Sequence, residues 1–571
     1  MPKRWTIKES YSLPDEQDIA RALHVSPLLV EILASRGFTS AEEMDRFLSP
    51  GLRHLTPPDA VPGLREAAAV LAEGLARGLP FAVWGDYDVD GVTSTALVKS
   101  FLTGRGITVR HFLPNRLEHG YGLDEGGIEE LAAEGIRLLL TVDCGISDVG
   151  PVARARELGM TVVVSDHHLP GDVLPQAHAV CDPRLAEEQG CPCADLAGVG
   201  VAWMLMAALN RLLPGQPTDM GRLLDFVALG TVADVVPLTG QNRILVKNGL
   251  LLIKEAVRPG IGALKEVSGY DRLAELGAGQ IGFGLAPRIN AAGRLGDPNL
   301  ALDLLLAPDL ETARPLAQRL DAMNADRRRE EGEILEQALE QARAQLAARP
   351  GLMGLVLHGE AWHPGIIGIV ASRVVEEFYR PALLLCTEGE GGLLKGSGRS
   401  ISELDLHAAL GECSALLAGY GGHRQAAGLS LEPANLDALR GAFHEAVVAQ
   451  VGPEPFSATL KLERELPLRM LDFRLLKELE LLQPFGVGNP EPVFVTPPVQ
   501  VKDYRVFGKN HVRLTLDDPE ARASVPGKAW RMAQSLTREV RGRTMRFAFT
   551  PRIDGYGGVP KIELHIKDWQ D

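Results

Sequence analysis

Phe81-Ala82-Val83-Trp84-Gly85-Asp86-Tyr87-Asp88-Val89-Asp90-Gly91 is the stretch that governs how the rest of the chain is read. Residues 81–84 form a short apolar run that stops at Gly85, the mark of a buried strand. Three carboxylates then follow at alternating positions. From about Thr93 onward, Ala96, Leu97 and Phe101 fall on one face of a helix. Three more apolar runs continue the alternation, at 107–113, Leu138–Val142 and Thr161–Ser165, the last two halting at Asp143 and Asp166. Strands alternating with helices of this length predict an α/β fold with a doubly wound parallel sheet. The acids directly after the strands then lie at the carboxyl ends, where ligands bind in such sheets.

The chain has 571 residues, which at roughly 150 per domain predicts three or four domains. Hydrophobic residues make up 45% and charged residues 23%, a globular composition that excludes global disorder. No apolar run reaches the roughly 18 residues of a membrane helix. The first ten residues carry three basic side chains without an apolar run behind them, so no secretory signal is expected. Six cysteines are too few for a disulfide framework in so long a chain and fit a cytoplasmic location. The net charge of −15 speaks against a simple nucleic-acid coat, yet residues 456–571 hold 19 Lys and Arg against 15 Asp and Glu, leaving −19 on the first 455. An acidic body that gathers metal ions and a basic end that grips phosphates would divide in this way, as would chance variation in surface charge.

Residues 1–60 show helical signals and read as an N-terminal helical segment, followed by a catalytic α/β domain over 61–245. In the helical region 246–350, one glycine and no proline occur between Pro315 and Pro350, and Leu335, Ala338, Leu339, Ala342 and Leu346 keep helical spacing. This predicts a single polar connecting helix of about 30 residues. A second, smaller α/β domain follows at 351–452, with strands at 352–357 and 382–386 around a helix at 366–378. Short strands between Gly and Pro turns from 456 to 571 predict a β-barrel.

Four acidic elements carry the chemistry. Asp86, Asp88 and Asp90 repel one another unless cations neutralise them or water screens them. They resemble the start of a calcium loop, but position twelve is Leu97 rather than a bidentate Glu, and the setting is a strand end. Asp143 stands in Val142-Asp143-Cys144-Gly145, where a helix cap is the plainer reading. Asp166-His167-His168 closes another strand; adjacent histidines diverge, so one binds metal and the other reaches substrate. Asp234 lies in an apolar stretch, where an unpaired carboxylate is costly. Carboxylates with imidazole suit Mn²⁺ or Mg²⁺ better than structural zinc, and two such ions can share a carboxylate. Cys181, Cys191 and Cys193 lack the spacing and fourth ligand of a zinc knuckle.

The order Asp-x-Asp, Val-Asp-Cys-Gly, Asp-His-His, Ala-Asp resembles the DHH phosphoesterase superfamily, and Gly421-Gly422-His423 resembles its DHH-associated domain. Ala286-Pro287-Arg288-Ile289-Asn290-Ala291-Ala292-Gly293-Arg294, Trp362-His363-Pro364-Gly365, Gly396-Ser397-Gly398-Arg399-Ser400 and Pro484-Phe485-Gly486-Val487-Gly488-Asn489-Pro490 narrow the resemblance to the RecJ-type exonuclease family. The resemblance implies a DHH catalytic domain, a DHH-associated domain and a C-terminal OB fold. It implies 5′→3′ exonuclease action on single-stranded DNA in recombination and repair, releasing 5′-mononucleotides by two-metal-ion phosphodiester hydrolysis with Mn²⁺ or Mg²⁺. Short oligonucleotides or cyclic dinucleotides are the alternative substrates within the superfamily. Carried onto this sequence, Asp88 and Asp90 are ligands of different ions, Asp86 a further ligand, Asp143 the bridging acid, His167 and Asp234 ligands, Asp166 the support behind His167, and His168 the group facing the scissile phosphate.

Ser372, Arg373 and Arg399 are expected to grip a terminal 5′-phosphate, the glycines around Arg399 letting backbone N–H groups approach it. His423 matches a nucleotide-contacting histidine. Arg288, Asn290 and Arg294 are placed in a narrow single-strand passage between the two α/β domains, and Tyr121 is read as a base-stacking residue. On the barrel, Lys502, Arg505, Lys509, Arg513, Arg541, Arg543 and Arg546, interleaved with Tyr504 and Phe507, read as a single-strand platform. The family's place in repair implies a RecQ-type helicase and a single-strand-binding protein as partners.

Overall fold

The structure is a computed structural model of the chain. It describes residues 3–9, 13–115, 120, 122–273, 276–387, 392–454, 456–518, 523–555 and 559–571. Two compact units emerge: residues 5–293, 297–320 and 461–571 form the larger, and residues 294–296 and 321–460, with those up to Arg4, the smaller.

In the larger unit, β1 (Phe81–Gly85), α1 (Val89–Gly104), β2 (Val109–Phe112), β3 (Leu138–Val142), β4 (Thr161–Ser165) and β5 (Ala179–Cys181) begin a five-stranded sheet. Its order is β2-β1-β3-β4-β5, and every pairing is parallel. Strands β1 and β3 are buried throughout, which is why they read as continuous apolar runs rather than alternating ones. The chain leaves β1 for β2 on one side while β3 lies on the other, so the strand order reverses between β1 and β3. Ligands bind at such a switch point.

The register sets the level of the acids. Gly85 pairs with Val142, Val142 with Ser165, and Ser165 with Cys181. Asp86, Asp143, Asp166 and Asp182 therefore leave four neighbouring strands at one height.

Helix α1 begins at Val89, four residues before the expected start, because Asp88 caps it. Its Oδ1 accepts the N–H groups of Asp90 and Gly91 at 2.8 and 3.1 Å. Helices α2 (Gly198–Leu212), α3 (Leu224–Ala233) and α4 (Gly240–Glu255) follow, then a π-helical turn Ile281–Leu285 that runs into α5 (Ala286–Leu295).

The connecting helix α6 (Leu310–Ala348) is 39 residues long, longer than expected. It starts before Pro315 because Asp309 accepts the N–H of Thr312 at 2.8 Å and ends the preceding turn. Its residues to Leu320 belong to the larger unit and the rest to the smaller.

The smaller unit holds β6 (Leu355–Gly359), α7 (Ile367–Phe378), β7 (Ala382–Thr387), β8 (Leu394–Arg399), β9 (Gly419–Gly422) and β10 (Ala426–Leu431). The sheet order is β9-β10-β8-β7-β6, with only β6 and β7 parallel.

The barrel comprises β11 (Phe494–Val495), β12 (Val499–Phe507), β13 (His511–Asp518), β14 (Ala523–Ala529), β15 (Thr544–Asp554) and β16 (Lys561–Gln570). Strands β12 to β16 close in the order β12-β13-β14-β16-β15-β12, with β14 and β16 parallel. That is an OB-type barrel.

The N-terminal helices do not form a core of their own. Leu29, Leu33, Met44 and Phe47 pack with Phe494, Val501, Leu514 and Phe547 in one cluster. Arg243 of α4 is buried against the same elements. Its guanidinium donates to the carbonyls of Phe47, Leu481 and Leu482 and stacks 3.7 Å from the Phe47 ring. Among the described residues no helix is long and apolar enough to cross a membrane.

Candidate metal centre

The acids expected from the sequence converge at the carboxyl ends of β1, β3 and β4. Ligand atoms of Asp86, Asp88 and Asp143 lie within 4.8 Å of one another. So do those of Asp90, His167 and Asp234, and those of Asp143, His167 and His168. Nε2 of His167 is central. It stands 3.0 Å from Oδ1 of Asp143, 3.7 Å from Oδ2 of Asp234 and 3.9 Å from Oδ2 of Asp90. Asp143 belongs to two of the groups, the position a shared carboxylate needs.

Each ligand is aimed by backbone that the sequence makes possible. Asp143 adopts φ 63°, a left-handed conformation, and its N–H donates to Ser165 O at 3.0 Å. Asp90 receives the N–H groups of Gly198 and Val199, at 2.7 and 2.9 Å, on the first turn of α2. The glycines beside these residues leave no room for a side chain. A Cβ at Gly91 would lie 2.4 Å from Asp86 N, and one at Gly198 2.5 Å from Asp143 Oδ1. Asp234 is the C-terminal cap of α3, and Val235 after it is left-handed, with φ 64°. His167 follows the end of β4, and its backbone N–H donates to Oδ1 of Asp166 at 2.8 Å.

The electrostatics are those of an anion cage. Burial, then Asp88, lifts the Asp90 carboxyl to about 7. Burial and the neighbouring Asp90 and Asp88 raise Asp143 and Asp234 well above the carboxylate range. Burial pushes His167 down to about 3, so it is the neutral imidazole a cation requires. Nε2 of His167 and Oδ2 of Asp234 are buried without a hydrogen bond. Hard oxygen donors, one neutral nitrogen and these orphaned atoms fit divalent cations of the Mn²⁺ or Mg²⁺ type.

His168 and Asp166 form a separate pair. Nδ1 of His168 lies 2.7 Å from Oδ1 of Asp166, which also accepts the His167 N–H at 2.8 Å, while Oδ2 takes Ile146 N–H at 2.9 Å. Burial opposes the charge on His168, but the hydrogen bond and charge of Asp166 outweigh it and lift the imidazole to about 9. Asp166 is buried too, and His168 more than compensates, lowering its carboxyl. Asp182, which the sequence reading passed over, follows β5 fully buried, and burial lifts it to about 7.

In the smaller unit, Ser372 and Arg399 meet around Gly368 in the first turn of α7. Ser372 Oγ donates to Gly368 O at 3.3 Å, and a Cβ at Gly368 would lie 3.0 Å from Arg399 Nη2. Arg373 is engaged by Glu376 at 3.1 Å and Glu331 at 3.7 Å. The glycines before Arg399 also serve the packing of the sheet. Cβ atoms at Gly396 and Gly398 would strike Leu429 and Leu383, so both are small to let the sheet face pack. His423 sits in the exposed turn between β9 and β10.

Arg288 donates to Gly284 O at 2.6 Å and Val267 O at 3.3 Å, and Arg294 to Gly365 O at 2.8 Å. Asn290 is half-buried on α5. Tyr121 lies outside the described residues.

On the barrel, Lys502, Arg543 and Arg546 are held by Asp517, Asp571 and Glu465. Phe507 and Arg513, both expected on the platform, belong to an aromatic group that His511, Trp530 and His565 extend, with Arg513 5.6 Å over the Phe507 ring.

A β2-β1-β3-β4-β5 parallel sheet with aspartates and one imidazole gathered at its switch point defines a DHH phosphoesterase. The family model described as the DHH family N-terminal domain matches residues 80–231, the DHHA1 domain residues 351–449 and the RecJ OB domain residues 462–568. The single-stranded-DNA-specific exonuclease RecJ of Escherichia coli is 36% identical over 99% of this chain and 98% of its own length. That of Thermus thermophilus is 39% identical over 86% of this chain and 69% of its own. The crystal structure of the Thermus RecJ in complex with Mn²⁺ superposes with a TM-score of 0.84 at 33% identity, covering all of this chain and 79% of the other. A Mg²⁺ complex of the same protein gives 0.79 at 32% identity, covering all of this chain and 78% of the other. The chain belongs to the RecJ family of single-stranded-DNA-specific exonucleases.

Proposed function

We propose that this protein is a metal-dependent exonuclease that degrades single-stranded DNA 5′→3′ and releases 5′-mononucleotides during recombination and repair. The observation that carries the reading is the convergence of Asp90, Asp143 and Asp234 on Nε2 of His167. Asp86, Asp88, Asp90, Asp143, His167 and Asp234 would hold two divalent cations, with Asp143 shared between them. Mn²⁺ or Mg²⁺ bound there supplies Lewis acidity that activates water and offsets phosphate charge.

The chain's own groups do the rest. His168, protonated near neutral pH, donates to a phosphate oxygen as negative charge grows on it, and Asp166 fixes the ring in that orientation. Water adds to the phosphorus joining the terminal nucleotide to the next, and the 3′-oxygen of the terminal nucleotide leaves. Each cycle therefore exposes a new 5′-phosphate. Ser372, Arg373 and Arg399, around α7, are the proposed grip for that phosphate, with His423, Arg288, Asn290 and Arg294 along the strand. Tyr121 stays a proposed stacking residue.

The barrel would hold the trailing strand, and a RecQ-type helicase and a single-strand-binding protein are the proposed partners. A cytoplasmic location accords with six cysteines that are all free thiols.

A time course on 5′- and 3′-labelled single strands and duplex, with Mn²⁺, Mg²⁺ or chelator, tests the whole reading. Label should leave the 5′ end of single strands first, and only with metal. Release from the 3′ end, equal action on blunt duplex, or turnover in chelator would sink it.

A further inference from the structure

We infer that Phe283 is a base-stacking residue that positions the single strand beside the metal centre. The π-helical turn Ile281–Leu285 buries Ile281, Gly284 and Leu285 yet leaves the Phe283 ring 80% exposed, the most exposed of the large hydrophobic side chains among the described residues. A single exposed apolar side chain is ordinary on a protein surface, so the backbone that presents this ring carries the argument. A π turn inserts one residue into a helix and so re-aims a side chain, and such turns concentrate at functional sites.

The helical stretch that holds the turn lies next to two segments that carry metal ligands, loosely at its start and tightly at its end. A Cβ at Gly282 would lie 3.9 Å from Val232, two residues before Asp234 in α3. At the far end of α5, a Cβ at Gly293 would lie 2.4 Å from the carbonyl of Tyr87, which stands between Asp86 and Asp88. The stretch 281–293 thus runs along the centre from one ligand segment to another. Gly284 packs closely against Tyr270, where a Cβ would lie 2.2 Å from Cε2, and this holds the turn in place. Val235, directly after Asp234, is a second exposed apolar side chain, at 66%.

Phosphates have no use for such a ring, but every base offers it a flat face. Stacking accepts any base, as an enzyme that degrades strands regardless of sequence requires. The inference rests on the exonuclease reading and goes one step further.

The test compares the wild-type protein with F283A and F283W on a 5′-phosphorylated single strand, and on the same strand carrying abasic tetrahydrofuran residues over its first nucleotides. On the base-bearing strand, F283A should raise KM about tenfold and F283W should restore it. On the abasic strand, wild type and F283A should coincide. Mn²⁺ affinity and Tm should be the same in all three proteins. Unchanged KM in F283A, or an equal loss on both strands, would overturn the role of Phe283. A wild-type protein inactive on both strands would instead overturn the exonuclease reading.

Discussion

The carboxylate of Asp90 is bound by the backbone N–H of Gly198 at 2.7 Å, and the same glycine leaves the space that the side chain of Asp143 fills. One residue thus sets the distance between two metal ligands on different elements. Substituting it places a methyl 2.5 Å from Asp143 Oδ1, so either α2 withdraws from Asp90 or Asp143 turns away.

G198A should therefore weaken Mn²⁺ binding by about 10- to 100-fold, the usual effect of disturbing groups behind metal ligands. Titration calorimetry on the variant, with circular dichroism to verify the fold, reads this directly. Wild-type affinity in a folded G198A would show that the close approach is incidental.

The raised carboxyls link metal binding to pH. A carboxyl whose folded value exceeds its unfolded value contributes stability that is fully present below the unfolded value, near 4, and lost as pH rises through the folded value. For Asp90 that loss extends to about pH 7, and Asp143 and Asp234 shift in the same direction. The chelated protein should thus lose stability between about pH 4 and 7. Because cations displace these protons, Mn²⁺ should raise Tm more at pH 8 than at pH 5.5. Equal Tm increments at the two values would contradict the anion-cage account.

The sequence made much of this site legible because strands and acids share one signal. Strands β3 and β4 are delimited by Asp143 and Asp166 themselves, so apolar run and ligand confirm each other. The signal failed where a residue does two tasks or an element is short. Asp88 caps α1 as well as joining the carboxylate group, which hid the true start of the helix. Asp182 follows a strand of three residues, below the length at which an apolar run can be told from loop. Strand β14 carries Pro526 and Gly527, which ordinarily mark a turn. The shared core of Leu29 and Phe547 joins residues about 500 positions apart, and no local pattern encodes that.

His168 owes its proton to Asp166. Replacing that carboxylate in D166N removes the charge while keeping a hydrogen-bonding side chain. The imidazole should then fall from about 9 towards its ordinary value of about 6.5. A protonated imidazole is required for turnover in the proposed mechanism, so the alkaline fall of kcat should move to lower pH by a comparable amount, alongside a lower maximum. A kcat profile from pH 6 to 10 that merely drops in height would mean His168 is not the titrating donor.

The barrel places Trp530, 45% exposed, edge-on to Phe507 and His511 at 5.5 and 4.9 Å. These rings come from the end of β12, the start of β13 and the residue after β14, the face on which OB folds receive single strands. Arg513 over Phe507 adds a cation next to the rings. Stacking of one base is worth about 1–3 kcal/mol, so W530A should weaken binding of a long single strand by about 5- to 160-fold. R513A should instead reduce the dependence of binding on salt, since it removes a phosphate partner. The two effects separate by fluorescence anisotropy at several salt concentrations, in Ca²⁺ or chelator to prevent cleavage. If W530A bound a 30-nucleotide strand as tightly as wild type at every salt concentration, the aromatic group would be packing within the barrel and the strand would take another course.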